Sequence, residues 1–404
     1  MRTSRSDRHL TRHAMPQHDL PRRWKRPRRY LLSMASALVI LAALAGCGPS
    51  AADLAAVDYT PLDDDDFPLS TPAEQGLDPK LVARLYLNAA ELESIYSLLV
   101  LKNGHLIAEG YFHEGSVEQL SGRHSATKSV TSAVAGVAVD QGCMPSLDRK
   151  MIEFFPDFES QVRASDPRKE QITVRHLLQM RGGYPWDSDG AGQEVLFWSG
   201  DWRWVPHIVD FPLVSDPGTE MQYSNLTSHL LGVIVQRECD TDLIALAEEH
   251  IFSPIGGEVG DWTRDGDNYN WGWGEIYLTA RDMAKFGELY LNDGVYEGNQ
   301  IISAGWVRDS LRSYSEKPWT RLEFRPFTNL GYGYQWWTAD VGAHQVSFAW
   351  GHGGQLIVLL DELDMVIVTT ADPLNGIPAG DKPWKLEKPI IVTVGKFIDS
   401  LPAE

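Results

Sequence analysis

Two short runs near the start of the folded region, residues 96–102 and 105–112, are dominated by apolar and β-branched positions and are separated only by Asn103-Gly104. Both turn residues tolerate positive φ, so the pair predicts a β-hairpin. The same short-run pattern returns late in the chain at 345–350, 355–360 and 365–370, with Asp361-Glu362-Leu363-Asp364 as the turn between the last two. Between these sets the spacing of apolar positions changes to helical. Asp78-Pro79 supplies an N-cap and a first-turn proline for a helix. Residues 125 to about 294 are mostly helical with long loops, and 389–401 reads as a closing helix. Strands at both ends with helices between predict an α+β (α/β) fold. Its single antiparallel sheet is built from both chain ends and flanked by helices, with a mostly helical insertion over about 125–310.

One helix carries the first candidate chemistry. Residues 129–139 are small and apolar on every side, which predicts a buried helix, and Gly142 supplies its stop. Ser125 and Lys128 stand at its start, one helical turn apart, so both side chains share a face. A hydroxyl and an amine placed this way form the minimal apparatus of a lysine-assisted serine nucleophile. The positive end of the helix dipole adds to it.

Further along, Tyr223-Ser224-Asn225 follows the turn signal Asp216-Pro217-Gly218 and precedes a helix at 226–238. A tyrosine at a loop-to-helix junction can present its hydroxyl to a cleft. Asn225 either caps that helix or bonds the lysine and the substrate. Gly351-His352-Gly353-Gly354 stands at a strand start, where glycines let a substrate approach the backbone.

Ser125-x-x-Lys128, Tyr223-x-Asn225 and His352-Gly353-Gly354, in this order, resemble the serine hydrolases of the class C β-lactamase and penicillin-binding-protein type. Ile172-Thr173-Val174-Arg175-His176-Leu177-Leu178, Asp216-Pro217-Gly218-Thr219, Tyr277-Leu278-Thr279-Ala280-Arg281-Asp282-Met283 and Gly331-Tyr332-Gly333-Tyr334-Gln335-Trp336-Trp337 look like its esterase and aminohexanoate-dimer hydrolase branch. The resemblance implies a β-lactamase/transpeptidase-like fold over about residue 76 to the end. It implies Ser125 as the acylated nucleophile and Lys128 and Tyr223 as its general base and acid, with the first base left open between them. Asn225, His352, Gly353 and Gly354 fall at substrate-binding positions, and the backbone N–H groups of Ser125 and Gln355 at the oxyanion hole. It implies no metal and no organic cofactor. His352-Gly353-Gly354 stands where such β-lactamases carry Lys-Thr-Gly, so the groups that hold a drug's carboxylate are missing.

Tyr184, Trp186, Trp198, Trp202, Trp204, Trp271 and Trp273 lie in loops between these motifs. They either pack those loops or line the cleft. Trp186 and Trp271 are the candidates for holding an apolar acyl chain. The absence of His-Glu-x-x-His, of zinc-ligand Cys/His spacing and of Gly-x-Ser-x-Gly argues against a zincin, a zinc ribbon and an α/β-hydrolase elbow.

The N-terminus is set apart as a targeting segment. Residues 1–29 hold ten basic and two acidic residues, and an apolar run follows from Tyr30 to Gly46. The stretch ending in Leu44-Ala45-Gly46-Cys47 resembles a bacterial lipobox, which implies removal of residues 1–46 and lipidation of Cys47 in the cell envelope. The chain of net charge −19 would then retain about −27. That balance disfavours nucleic acid and anionic membrane surfaces as partners, leaving the lipid as the membrane contact. Residues 47–75, with Asp63-Asp64-Asp65-Asp66, read as a solvated acidic tether. Apart from Cys47 the cysteines are Cys143 and Cys239. Each ends a helix that starts at the supposed active site and runs roughly 20–25 Å away from it, so a Cys143–Cys239 disulfide is expected in an exported protein.

The expected function is an exported serine hydrolase acting on small ester or amide substrates through an acyl-enzyme on Ser125. Two rivals stand beside it. One is a penicillin-binding D-Ala-D-Ala peptidase or β-lactamase. The other is a non-catalytic envelope binding protein.

Overall fold

The computed structural model describes residues 49–63, 65–187, 202–316, 325–373 and 384–403. The expected signal segment and Cys47 lie outside them, as does Trp198.

The centre is an eight-stranded, wholly antiparallel sheet. In chain order its strands are β1 (Ile95–Lys102), β2 (His105–Tyr111), β3 (Ser315–Glu316), β4 (Phe327–Tyr332), β5 (Trp337–Val341), β6 (His344–Gly351), β7 (Gln355–Leu360) and β8 (Met365–Ala371). Their spatial order is β2-β1-β8-β7-β6-β5-β4-β3, so β1 pairs with β8 and the sheet is closed from both chain ends. The expected hairpin turns at Asn103 and Gly104, both with positive φ.

Alternation along the strands divides the core in two. Leu98, Val100, Leu356, Val358 and Ile367 face a cluster that includes helices α1 (Pro79–Ala90) and α5 (Trp384–Asp399). Leu99, Leu101, Ile357, Leu359, Val366 and Val368 face the other side. There they meet α2 (Thr127–Asp140), α3 (Asn225–Cys239) and α4 (Ala280–Leu291). A period of two therefore buries both faces of one sheet. Helices α2 and α3 pack together, and a disulfide joins their far ends at Cys143 and Cys239, whose Cα atoms are 5.2 Å apart.

Strands β4 and β5 were not expected from the pattern, because their sequence is dense in glycine and aromatics. Gln335, at φ 62°, makes the reversal between them. Its buried amide nitrogen donates to the carbonyls of Leu177 and Leu178, and its Oε1 accepts from Ser228. Its own carbonyl accepts from Ser129. The reversal thereby bolts the sheet to both α2 and α3.

The acidic run corrects the tether reading. Asp63 and Asp66 pair with the buried Arg281, and Asp66 also pairs with Lys285. Arg281 in turn forks onto the buried Glu109 with two bonds of 2.9 Å. Phe67 is buried and Leu69 bridges to Leu106. This segment is docked on the domain through long-range partners that a local reading of four aspartates does not see.

Candidate active site

The turn that carries Ser125 is a single 3-10 turn, His124–Ala126, leading directly into α2. Its shape requires His124 at φ 45°, a left-handed conformation that costs energy for a residue other than glycine. Two backbone contacts hold it. Arg123 N–H donates to Ile276 O at 2.8 Å, and the end of strand β6 presses on it at Gly351. A Cβ on Gly351 would lie 2.2 Å from Arg123 O, so only glycine permits this approach.

Lys128 follows one turn later and is 1% exposed. Its Nζ donates to Ser125 Oγ at 2.8 Å, Asn225 Oδ1 at 2.6 Å and Trp273 O at 2.9 Å. Burial pulls its pKa well below the usual lysine range, against the opposing pull of Asp187 and Glu275. Two of the three partners, an amide oxygen and a backbone carbonyl, can only accept. A neutral amine satisfies both with its two N–H bonds and aims its lone pair at the third partner, the serine hydroxyl. The arrangement is suited to taking a proton from Ser125.

Tyr223 stands across the site. Burial raises its pKa above the ordinary tyrosine value, against the lowering influence of the Ser125 hydroxyl. Its ring lies 4.9 Å from Lys128 Nζ, stacks on Trp337 at 5.3 Å and meets Tyr332 edge-on at 6.0 Å. Trp186 packs on the same ring at 6.2 Å. Asn225 does not serve as the cap of α3. It is the first helical residue, its side chain turns to the lysine, and its N–H donates to both oxygens of Asp187 at 2.9 and 3.1 Å. Burial raises the Asp187 pKa and the Lys128 charge lowers it.

Gly353 and Gly354 have φ of +85° and +99°. A Cβ on either would strike Pro373 or Ile390 within 2.7 Å, so their missing side chains serve packing rather than substrate approach. His352 Nδ1 lies 3.1 Å from Glu387, a buried carboxylate on α5. Gln355 places its side chain inward, where its Oε1 accepts from the buried Arg123 at 2.9 Å. Tyr184 and Trp204 are fully buried. Trp271 stacks between Trp204 and Trp273 at 4.8 Å on either side, as part of the packing beneath the site rather than its lip.

Four residues that motif reading did not single out complete the site: Asp187, His124, Glu275 and Glu387. Glu275 accepts from His124 Nδ1 at 2.6 Å. The expected closing helix, 389–401, excludes Glu387 because it starts at Pro389. The helix begins at Trp384 and carries the proline in its second turn.

The model of the Beta-lactamase family matches residues 96–385, and the chain belongs to that family. It is 26% identical over 325 residues to the 6-aminohexanoate-dimer hydrolase of Paenarthrobacter ureafaciens, covering 76% of this chain and 79% of that protein. Among solved structures it resembles a penicillin-binding protein homolog from Caulobacter crescentus, with a TM-score of 0.59 at 14% identity, covering 84% of this chain and all of that one. It also resembles a penicillin-binding protein homologue from Pyrococcus abyssi, with a TM-score of 0.56 at 20% identity, covering 76% and 75% of the two chains. These likenesses at low identity support the β-lactamase/transpeptidase-like fold.

Proposed function

We propose that this Beta-lactamase-family hydrolase cleaves small esters or amides through an acyl-enzyme on Ser125. The observation that carries the reading is the three-way coordination of Lys128 Nζ by Ser125 Oγ, Asn225 Oδ1 and Trp273 O. It holds a buried amine, with lowered pKa, against the nucleophile and against nothing else that can donate to it.

Lys128 is the first base in this scheme and Tyr223 the proton shuttle, since burial favours a neutral amine but disfavours a tyrosinate. Ser125 Oγ attacks the acyl carbon as its proton passes to Lys128. The tetrahedral oxyanion is held by the backbone N–H groups of Ser125 and Gln355, whose cross-strand partner Gly351 abuts the nucleophile turn. The proton then moves through Tyr223 to the departing alcohol or amine. Water enters, gives its proton back along the same path, and releases the acid.

We also propose export as a lipoprotein anchored at Cys47, with residues 1–46 removed. The disulfide between Cys143 and Cys239 supports an oxidising compartment.

The test is intact mass after treatment with a fluorophosphonate, together with turnover of an activated ester. One adduct and measurable turnover are expected in the wild type, and neither in Ser125→Ala with unchanged circular dichroism. Undiminished turnover in that variant would overturn the assignment.

A further inference from the structure

Ser125 is flanked by two imidazoles, each backed by a carboxylate. His124 Nδ1 is 2.6 Å from Glu275, and His352 Nδ1 is 3.1 Å from Glu387. The two rings meet edge-to-face with centroids 5.9 Å apart. The His352 side chain is 41% exposed and that of His124 27%, whereas Glu387 is almost wholly buried. In each pair the imidazole is therefore the more exposed member and the carboxylate the more buried one.

The charge of such a pair has a ceiling. While the carboxylate is ionised, a neutral ring leaves −1 and a protonated ring leaves 0, so the pair is never positive. In both, the nitrogen facing the carboxylate must carry a proton, because a carboxylate only accepts. With a neutral ring the other nitrogen is a lone pair, which receives a donor and repels a carboxylate.

The nearby cations cannot make up the difference. All three hydrogens of a charged Lys128 are taken by Ser125, Asn225 and Trp273. The Arg123 guanidinium is 1% exposed and turns away, donating to Leu278 O, Gln355 Oε1 and Ser121 Oγ. Asp187 adds a further acidic group beside Lys128. Neither Lys128 nor Arg123 keeps a donor for a substrate.

We infer that the cleft selects uncharged or cationic acyl substrates and rejects those with a carboxylate near the scissile bond, with His124–Glu275 and His352–Glu387 setting this preference. The inference rests on the acyl-enzyme reading and narrows it. It moves the substrate away from β-lactams and from peptides cleaved next to a terminal carboxylate, and toward neutral or ammonium-bearing esters and amides. The net charge of −19 over the whole chain steers in the same direction.

Three p-nitrophenyl esters of matched length test it: the hexanoate, the adipate monoester and the 5-(trimethylammonio)pentanoate. At low ionic strength kcat/KM for the adipate is expected about tenfold or more below that of the hexanoate, and the cationic ester at or above it. The gap should narrow as salt rises. His352→Lys should raise the adipate-to-hexanoate ratio about tenfold, and Glu275→Gln should raise it by a smaller factor. Equal rates for adipate and hexanoate at low salt overturn the inference. Calorimetric Kd values of the three esters for Ser125→Ala read the preference without turnover, and equal values overturn it as well. Absence of turnover for all three in the wild type overturns the acyl-enzyme reading instead, while a charge-ordered series of Kd values would still support the preference.

Discussion

Asp187 accepts the backbone N–H of Asn225 with both carboxylate oxygens, at 2.9 and 3.1 Å. It thereby satisfies the first turn of α3 from outside the helix, and frees the Asn225 side chain to turn to Lys128. The relation runs from a loop carboxylate, through a helix N-terminus, to the orientation of an amine. Asn225→Ala removes one of the two acceptors that aim the lysine lone pair, and a displacement of even 1 Å at such a position can cost about 10²-fold. The expected result is a fall in kcat/KM of that order with the fold retained. It is checked by ester turnover beside thermal unfolding.

The acid limb of the pH profile should report Lys128. In the proposed scheme the free amine is the active form; burial lowers its pKa, and Asp187 is the first opposing influence. Activity should therefore rise with pH through a value well below that of an ordinary lysine. Asp187→Asn removes a negative charge that favours the ammonium, so the limb should move to lower pH. Asn225→Asp adds one, so the limb should move up, by about 1–3 units for a carboxylate in direct contact. A kcat/KM profile measured with the uncharged hexanoate ester decides this. An unmoved limb in both variants would remove Lys128 from the role of base.

The N-terminal strap should matter for stability. Burial works to raise the Glu109 pKa, but the Arg281 bonds, with those of Leu62 N–H and Tyr111, outweigh it and hold the carboxyl below its usual value. A depressed carboxyl contributes stability above its unfolded pKa, and that contribution is lost as pH falls through the folded one. Arg281→Ala leaves the buried Glu109 without its counter-charge, and should cost about 3–5 kcal/mol at neutral pH. Asp63→Asn should cost far less, since that carboxylate is largely exposed. Urea denaturation at pH 7 distinguishes the two.

Much of this architecture is visible in the chain because its causes are local. Short apolar and β-branched runs bounded by turn residues mark the hairpin at Asn103-Gly104 and strands β6 to β8, and the run of small residues after Lys128 marks a helix buried on all sides. Ser125, Lys128 and Tyr223 come together because each stands at an element start facing one cleft. What escaped detection depends on distant partners. Asp63 and Asp66 look like a solvated run until Arg281 arrives from 215 or more residues away. Glu387, Glu275 and Asp187 are single carboxylates without a motif, and only the fold sets them against His352, His124 and Asn225. Trp271 could not be told from a cleft residue, because stacking and substrate contact use the same side chain.

The disulfide closes a loop of 96 residues between the ends of α2 and α3. Constraining so long a loop in the unfolded chain stabilises by an amount on the order of 2–5 kcal/mol. Reduction, or Cys143→Ser with Cys239→Ser, should lower Tm by several degrees without moving kcat at low temperature, because the bridge lies at the ends of the helices opposite to the site. Equal Tm with and without reductant would show that the two thiols are not bonded.

Tyr223→Phe separates the two proton-transfer roles. The hydroxyl acts on Ser125 while burial keeps it protonated, so its removal takes away the proposed shuttle but leaves Lys128 in contact with the nucleophile. Fluorophosphonate should still label Ser125, because fluoride needs no proton to leave. Turnover of an unactivated ester, whose alkoxide leaving group does, should fall by about 10²–10⁴-fold. The p-nitrophenyl ester should lose less in acylation, and the lost deacylation step should show as a burst followed by a slow steady state. Intact mass during turnover would then display the accumulated acyl-enzyme. If labelling is abolished along with turnover, Tyr223 rather than Lys128 activates the serine, and the order of proton transfer proposed above is reversed.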